Sequence, residues 1–307
     1  MTPLRLGYLY GIAAYLLWGF FPLYLKLLRP AGALEILAHR IVWSVVFVAL
    51  LLATVRNVGF LRALLRRPRA LAGMGVAAAL IAVNWGVYIY GVTSERVVET
   101  ALGYFINPLV VVLLGVTVLH ERLRRAQWAA LGVGGLAVAV LAVDYGRPPY
   151  LALVLAVSFG GYGLVKKQLA LPAAEGLFVE SAVLALPALA YLGWLTAAGD
   201  VAFGRVSVGH TLLLVSAGAA TAIPLLLFAG AANRLPLTGL GMIQYIAPIL
   251  QLGCGVLIFH EPMPPARLAG FALVWAALIV FTVDAVRHSR RNRRAGTPAR
   301  AVAPAHH

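Results

Sequence analysis

The chain is a succession of apolar runs about twenty residues long, separated by short breaks of charge, proline or glycine. A run of that length matches the hydrocarbon thickness of a bilayer, which a helix crosses in about 20 residues. The breaks define spans at 5–28, 35–55, 70–92, 97–118, 126–144, 150–167, 175–198, 208–231, 237–259 and 266–285. In lipid, backbone N–H and C=O groups find partners only in helices or closed barrels. A barrel needs alternating strands of about ten residues, whereas these runs are longer and uniformly apolar. The expected fold is therefore all-α and integral to a membrane, with ten transmembrane helices.

Composition agrees. The 307 residues are 62% hydrophobic and 11% charged, against roughly 45–50% and about 25% in soluble domains. The net charge of +15 would suit nucleic acid only if the basic residues shared a soluble face, and the spans leave room for none. Their distribution instead follows the positive-inside bias. With the N-terminus in the cytoplasm, eighteen Arg and Lys residues fall in cytoplasmic segments, and six (Lys26, Arg29, Arg96, Arg147, Arg205, Arg267) fall outside. Arg40 lies within a span. Both termini are then expected to be cytoplasmic. The start of the chain reads as an uncleaved first span, since no small-residue cleavage site follows a short core. Residues 287–307 form a basic tail whose composition predicts disorder.

The two halves are alike at an offset of about 140 residues. Pro108 falls on Pro248, His120-Glu121 on His260-Glu261, Phe105-Ile106 on Tyr245-Ile246, and Lys26 on Lys167. Five spans per half is an odd number, so the second copy must enter the membrane from the opposite side. Residues 5–144 and 150–286 are thus expected to be two inverted five-helix repeats, an architecture of secondary transporters.

Polar side chains within a membrane are costly and therefore functional candidates. In the fourth span Glu99, Gly103 and Asn107 share a helix face, and Pro108 follows near mid-depth, where it frees a carbonyl one turn earlier. A polar stripe meeting a broken helix at the midplane would suit a solute. The competing reading is a proline kink with an Asn that bonds across to a neighbouring helix. Glu99 is the candidate coupling carboxylate, although it could equally be a solvated acid at a helix N-terminus. In the ninth span Gln244, Pro248 and Gln251 share a face beside Tyr245. The third span offers Asn84, Trp85 and Tyr88, and the first offers Trp18. These lie too deep for an interfacial aromatic belt and are candidates, with Tyr104, for lining a solute cavity or for helix packing. Pro108 and Pro248 are the expected kinks. Arg40 and Glu180 are related by the same offset. They should lie at opposite depths and are not expected to pair.

Other chemistry is poorly supported. His120-Glu121 and His260-Glu261 begin like a zinc motif, but Arg124 and Pro264 stand where the second histidine belongs. The glycines of 132–138 follow no strand and suit close helix contact. No Walker motif and no Ser-His-Asp set stands out, so neither a cofactor, a metal nor an enzyme activity is expected. Cys254 sits in an apolar run as a packing residue.

Six segments taken together, EILAHR (35–40), NW (84–85), ETALGYFINPL (99–109), HER (120–122), YGLVKK (162–167) and IQYIAP (243–248), resemble the RarD-type permeases of the EamA branch of the drug/metabolite transporter superfamily. The resemblance covers about residues 5–287. It implies ten helices in two EamA repeats, a central cavity lined by spans 1, 3, 4, 6, 8 and 9, and a bacterial inner membrane. The label "chloramphenicol-sensitive" attached to the family does not establish a substrate. His120 departs from the family pattern, in which many members carry Gly before the Glu. The expected activity is alternating-access transport, as an exporter, of small organic solutes or drugs, with protons as a possible coupling partner. A membrane sensor or assembly scaffold on the same fold is the alternative. A polar pocket holding Asn84, Asn107 and Gln244 would favour transport; a packed centre would favour a scaffold.

Overall fold

The computed structural model describes residues 2–54, 67–120, 122–169 and 173–294, and these form helices without a strand. The first apolar run is two helices, α1 (Pro3–Gly19) and α2 (Phe21–Leu27), bent by 41° at Phe20. Single helices follow: α3 (Ala33–Thr54), α4 (Pro68–Thr93), α5 (Val97–Leu119), α6 (Arg125–Tyr145), α7 (Tyr150–Leu169), α8 (Ala173–Ala198) and α9 (Val208–Ala232). The run after that is split into α10 (Leu237–Ile243) and α11 (Ile246–Gly253), continued by a π-helical turn at Cys254–Ile258, and α12 (Pro265–Arg294) closes the described chain. Eight of these runs are long and apolar enough to cross a membrane, and the bent α1–α2 pair makes a ninth. α7 is apolar but shorter over its uncharged part.

The helices start and stop for local reasons. Thr2 accepts from Arg5 N ahead of Pro3, and Ser207 accepts from His210 N ahead of α9, the preferred N-cap chemistry. Gly146 ends α6 at φ 64°, the left-handed cap that glycine adopts without strain. α12 runs on to Arg294, past the boundary expected at 287. The stretch AVRHSRRNRR has no breaker before Gly296, arginine is a good helix former, and cations suit a helix C-terminus. Residues 287–294 thus continue the helix, and 295–307 lie outside the described residues, as do residues 55–66.

Large apolar side chains remain uncovered in mid-helix: Leu50 is 64% exposed, Leu186 78% and Ile279 63%. A soluble fold would bury them, so lipid is their solvent. The interior is held by small residues. Gly103 lies on α7, where an added Cβ would stand 2.8 Å from the Ala152 carbonyl oxygen. Gly218 lies on α3, where an added Cβ would collide with the Trp43 carbonyl. Such contacts let two backbones touch.

Helix starts recur at a fixed interval. Ala33 and Ala173, Pro68 and Val208, Val97 and Leu237, and Arg125 and Pro265 are each 140 residues apart. The packing is reciprocal too: α1 rests on α9 as α7 rests on α4, α1 meets α11 as α7 meets α5, and α3–α8 and α6–α12 pair directly. The interval does not extend to every detail. α7 is unbroken where α1 is bent, and α5 runs unbroken through Pro108, whereas the run bearing Pro248 is split. Pro248 is the third residue of α11, within the first turn, where a missing N–H costs least.

Candidate functional site

The most deeply placed cation sits between the halves. Arg40 is 5% exposed on α3, two turns in from Ala33. Its Nε donates to Thr221 Oγ1 of α9 at 2.7 Å. Its guanidinium lies 4.2 Å from the ring centre of Trp85 on α4 and 4.9 Å from that of Phe21 on α2. A planar, weakly hydrated guanidinium suits such stacking, and a desolvated cation–π contact contributes about 2 kcal/mol or more. Thr221 can reach it because Gly218, one turn earlier, brings α9 onto the α3 backbone.

Beside this lies a polar–aromatic layer. Asn84 is 1% exposed and donates to the Leu155 carbonyl at 3.0 Å and to Ser158 Oγ at 3.1 Å, both on α7. Its Oδ1 accepts from the Tyr104 hydroxyl at 3.3 Å. Tyr88 meets Tyr104 edge-on at 5.6 Å and stacks on Phe21 at 6.4 Å. Asn84, Trp85, Tyr88 and Tyr104 of the expected set therefore share one cluster, and Arg40, Thr221, Ser158 and Phe21 join it. The joining residues come from four separate helices, so spacing along one helix could not reveal them.

The other expected residues lie elsewhere. Trp18 packs against Tyr15 and Phe228 at 5.5 and 5.8 Å, and its carbonyl accepts from Gln251 Nε2 at 3.0 Å. Asn107 donates to the Ala156 carbonyl of α7 at 3.0 Å, the cross-helix bond of the packing alternative. Gln244 and Tyr245 form the break between α10 and α11. Tyr245 lines an apolar groove of about 580 Å³ with Phe105, Met242, Ile249 and Trp275. Asn84, Asn107 and Gln244 do not line that groove.

Glu99 is not a solvated acid. It is 2% exposed, and both Arg96 (2.8 Å) and Arg147 (2.9 Å) reach its Oε2, while Leu151 N donates to Oε1 at 3.2 Å. It clasps the starts of α5 and α7 together. Glu261 does related work. Its two oxygens accept from Val97 N at 2.6 Å and Val98 N at 2.8 Å, which satisfies two free donors at the α5 N-terminus. The preceding His260 is left-handed at φ 55°, as His120 is at φ 53°. His260-Glu261 thus ends one helix and turns a carboxylate back onto another. Glu121 lies outside the described residues. Glu180 is paired with Lys166 at 2.7 Å and with the Tyr162 hydroxyl at 3.1 Å, and not with Arg40. Lys166 is thus an ion-pair partner of a buried acid.

The chain as a whole is similar to known proteins. The EamA-like transporter family model matches residues 5–143. Over 289 residues, 94% of this chain and 92% of the relative, the sequence is 57% identical to "Protein RarD" of Streptomyces exfoliatus. The chain is a RarD-type member of the EamA-like transporter family. It is also 39% identical to "Protein RarD" of Escherichia coli (strain K12) over 94% of this chain and 98% of that one. To "Uncharacterized transporter YojE" of Bacillus subtilis (strain 168) it is 44% identical over 94% and 97%. A solved crystal structure shares the fold at a TM-score of 0.59 and 22% identity, covering 90% of this chain and 97% of that one. As an EamA-like protein the chain is a multi-pass membrane transporter, and its apolar helices with their uncovered side chains are what that requires.

Proposed function

We propose that the chain is a secondary transporter of small organic solutes, working by alternating access as an exporter in a bacterial inner membrane. Ten spans, counting α7 and the bent or split helices once each, form two inverted five-helix repeats. The 140-residue interval between helix starts and the reciprocal packing support the inversion. Arg124 bonds Asp284 at 2.8 Å, so the start of α6 and the C-terminal part of α12 share one side of the bundle. The basic residues favour the cytoplasm for that side.

One observation carries the reading: the buried Arg40–Asn84–Tyr104 cluster is assembled by helices of both halves, so relative movement of the halves must rebuild it. Helix packing in lipid needs only small residues and a few neutral hydrogen bonds. A scaffold would have no use for a buried guanidinium at that interface. Counterflow in proteoliposomes tests the function: preloaded unlabelled solute should accelerate entry of labelled solute. Solute movement indistinguishable from protein-free vesicles, across neutral and charged panels alike, rejects transport.

A proton gradient is the driving force we propose, in a chain without a nucleotide-binding motif. Glu99 is committed to two guanidiniums and a backbone N–H, whereas Glu180 has one ammonium and one phenol. Fewer ties need breaking at Glu180 for the carboxylate to exchange a proton. Glu99→Gln is expected to keep the response of solute flux to a pH gradient and to lower stability by about 2–4 kcal/mol through loss of buried charged hydrogen bonds. Glu180→Gln is expected to abolish the gradient response. The opposite pattern would return the coupling role to Glu99.

A further inference from the structure

The charge accounting around Arg40 is unbalanced. Arg40 is packed on the rings of Trp85 and Phe21 and bonded to Thr221, and no carboxylate lies within ion-pair distance of it among the described residues. The other buried acids are engaged elsewhere: Glu35 accepts from Ala202 N and Phe203 N, Glu99 is held by two arginines, Glu180 by Lys166, and Glu261 by Val97 N and Val98 N. Among the described residues Arg40 has Thr221 as its hydrogen-bond partner, and its Nη1 is buried without one. The Tyr88 hydroxyl, in the same aromatic shell, is also buried without one. Burying a charge without a counter-charge costs several kcal/mol, and orphaned buried donors are rare enough in native proteins to need a reason.

We propose that Arg40 is the recognition site for a negatively charged solute, and that the solute is an aromatic monocarboxylate. This rests on the transport reading above and narrows it. The charge of the ligand follows from the count of cations: one guanidinium, with no second lysine or arginine in the cluster, neutralises one negative charge. The carboxylate follows from the free Nη1, a charged donor that bonds a carboxylate oxygen more strongly than a neutral acceptor. The Tyr88 hydroxyl supplies a further donor. The aromatic body follows from the rings around the guanidinium, Phe21 and Trp85 against it and Tyr88 and Tyr104 beside them. An amino acid fits less well, because no acid of the cluster is available to its ammonium.

The test uses four probes with one benzyl body and different charge: phenylacetate, phenylacetamide, phenethylammonium and zwitterionic phenylalanine. Each is added to the purified full-length protein in detergent at neutral pH, and thermal unfolding is followed. Phenylacetate is expected to raise the midpoint by about 3–6 °C at saturating concentration, with an apparent Kd about tenfold or more below that of the amide. Arg40→Gln should erase that preference, whereas Arg205→Gln, at the exposed α8–α9 loop, should preserve it. Arg40→Lys keeps the charge without the fork and should retain a weakened preference, which covers the case of a poorly folded Gln variant. The comparison of acid with amide on the wild type needs no variant at all. Equal shifts by acid and amide, a larger shift by the amine or the zwitterion, no shift by any probe, or a preference surviving in Arg40→Gln would overturn the proposal. Counterflow of the amide or the amine would then show that transport stands while the anionic substrate class falls.

Discussion

Alanine at Gly218 is expected to lower the unfolding midpoint by about 5–10 °C, corresponding to about 2–3 kcal/mol of overpacking. One methyl group is enough because the obstacle is backbone. The new Cβ would meet the Trp43 carbonyl and stand 2.9 Å from Ser44 N, so α3 and α9 must separate. A flexible side chain could swing aside; a helix backbone cannot. Separation also withdraws Thr221, one turn along α9, from Arg40 Nε. The variant should therefore lose both stability and solute flux. Gly132→Ala, at a position where an added Cβ meets nothing within 4 Å, should leave both near wild type. A Gly218→Ala protein as stable as wild type would show that the two helices are not in backbone contact.

Glu261→Ala should be nearly as damaging, at about 2–4 kcal/mol. The carboxylate is the partner of Val97 N and Val98 N, and both valines are buried. Its loss strands two donors away from water, each worth about 1–3 kcal/mol, and removes a negative charge from a helix N-terminus. Glu261→Gln retains one acceptor oxygen and should recover part of the loss. Thermal unfolding of the two variants side by side checks the order; a Gln variant no better than Ala would mean that charge matters more than the bond.

The spans were legible because hydropathy and bilayer thickness act on every residue of a run, and a few misplaced residues do not change the sum. The site was legible in part. Asn84, Trp85, Tyr88 and Tyr104 stood out because polar and aromatic groups at depth are costly, and they do share a cluster with Arg40. Whether Arg40 turned inward could not be read from α3 alone, since that depends on Thr221 some 181 positions away. Asn107 shows the limit of the same reasoning. A polar side chain at depth satisfies itself as readily on the Ala156 carbonyl as on a solute, and one helix face does not distinguish the two. The breaks were harder still. Pro108 and Pro248 occupy matched positions, yet only the second stands beside a break, because a proline one turn into a helix and a proline in mid-helix ask different things of the chain. The bend at Phe20 has Pro22 after it for the same reason. Glu261 stood out only in a His-Glu pair that lacks the second histidine of a zinc motif. Its capping role depends on the left-handed turn at His260, which has no reliable mark in the residue string.

The placement of these breaks divides the molecule mechanically. The bent α1–α2 pair rests against the split α10–α11 run, and the two continuous helices, α5 and α7, rest against each other. Asn107 and Gly103 bind the continuous pair closely, while the π-helical turn and the 580 Å³ groove lie by the broken one. The repeat is symmetric in its plan and asymmetric in its compliance. Deformation applied to such a body concentrates where the springs are soft, so a change of access would be carried by one flank, with the other serving as its fixed wall.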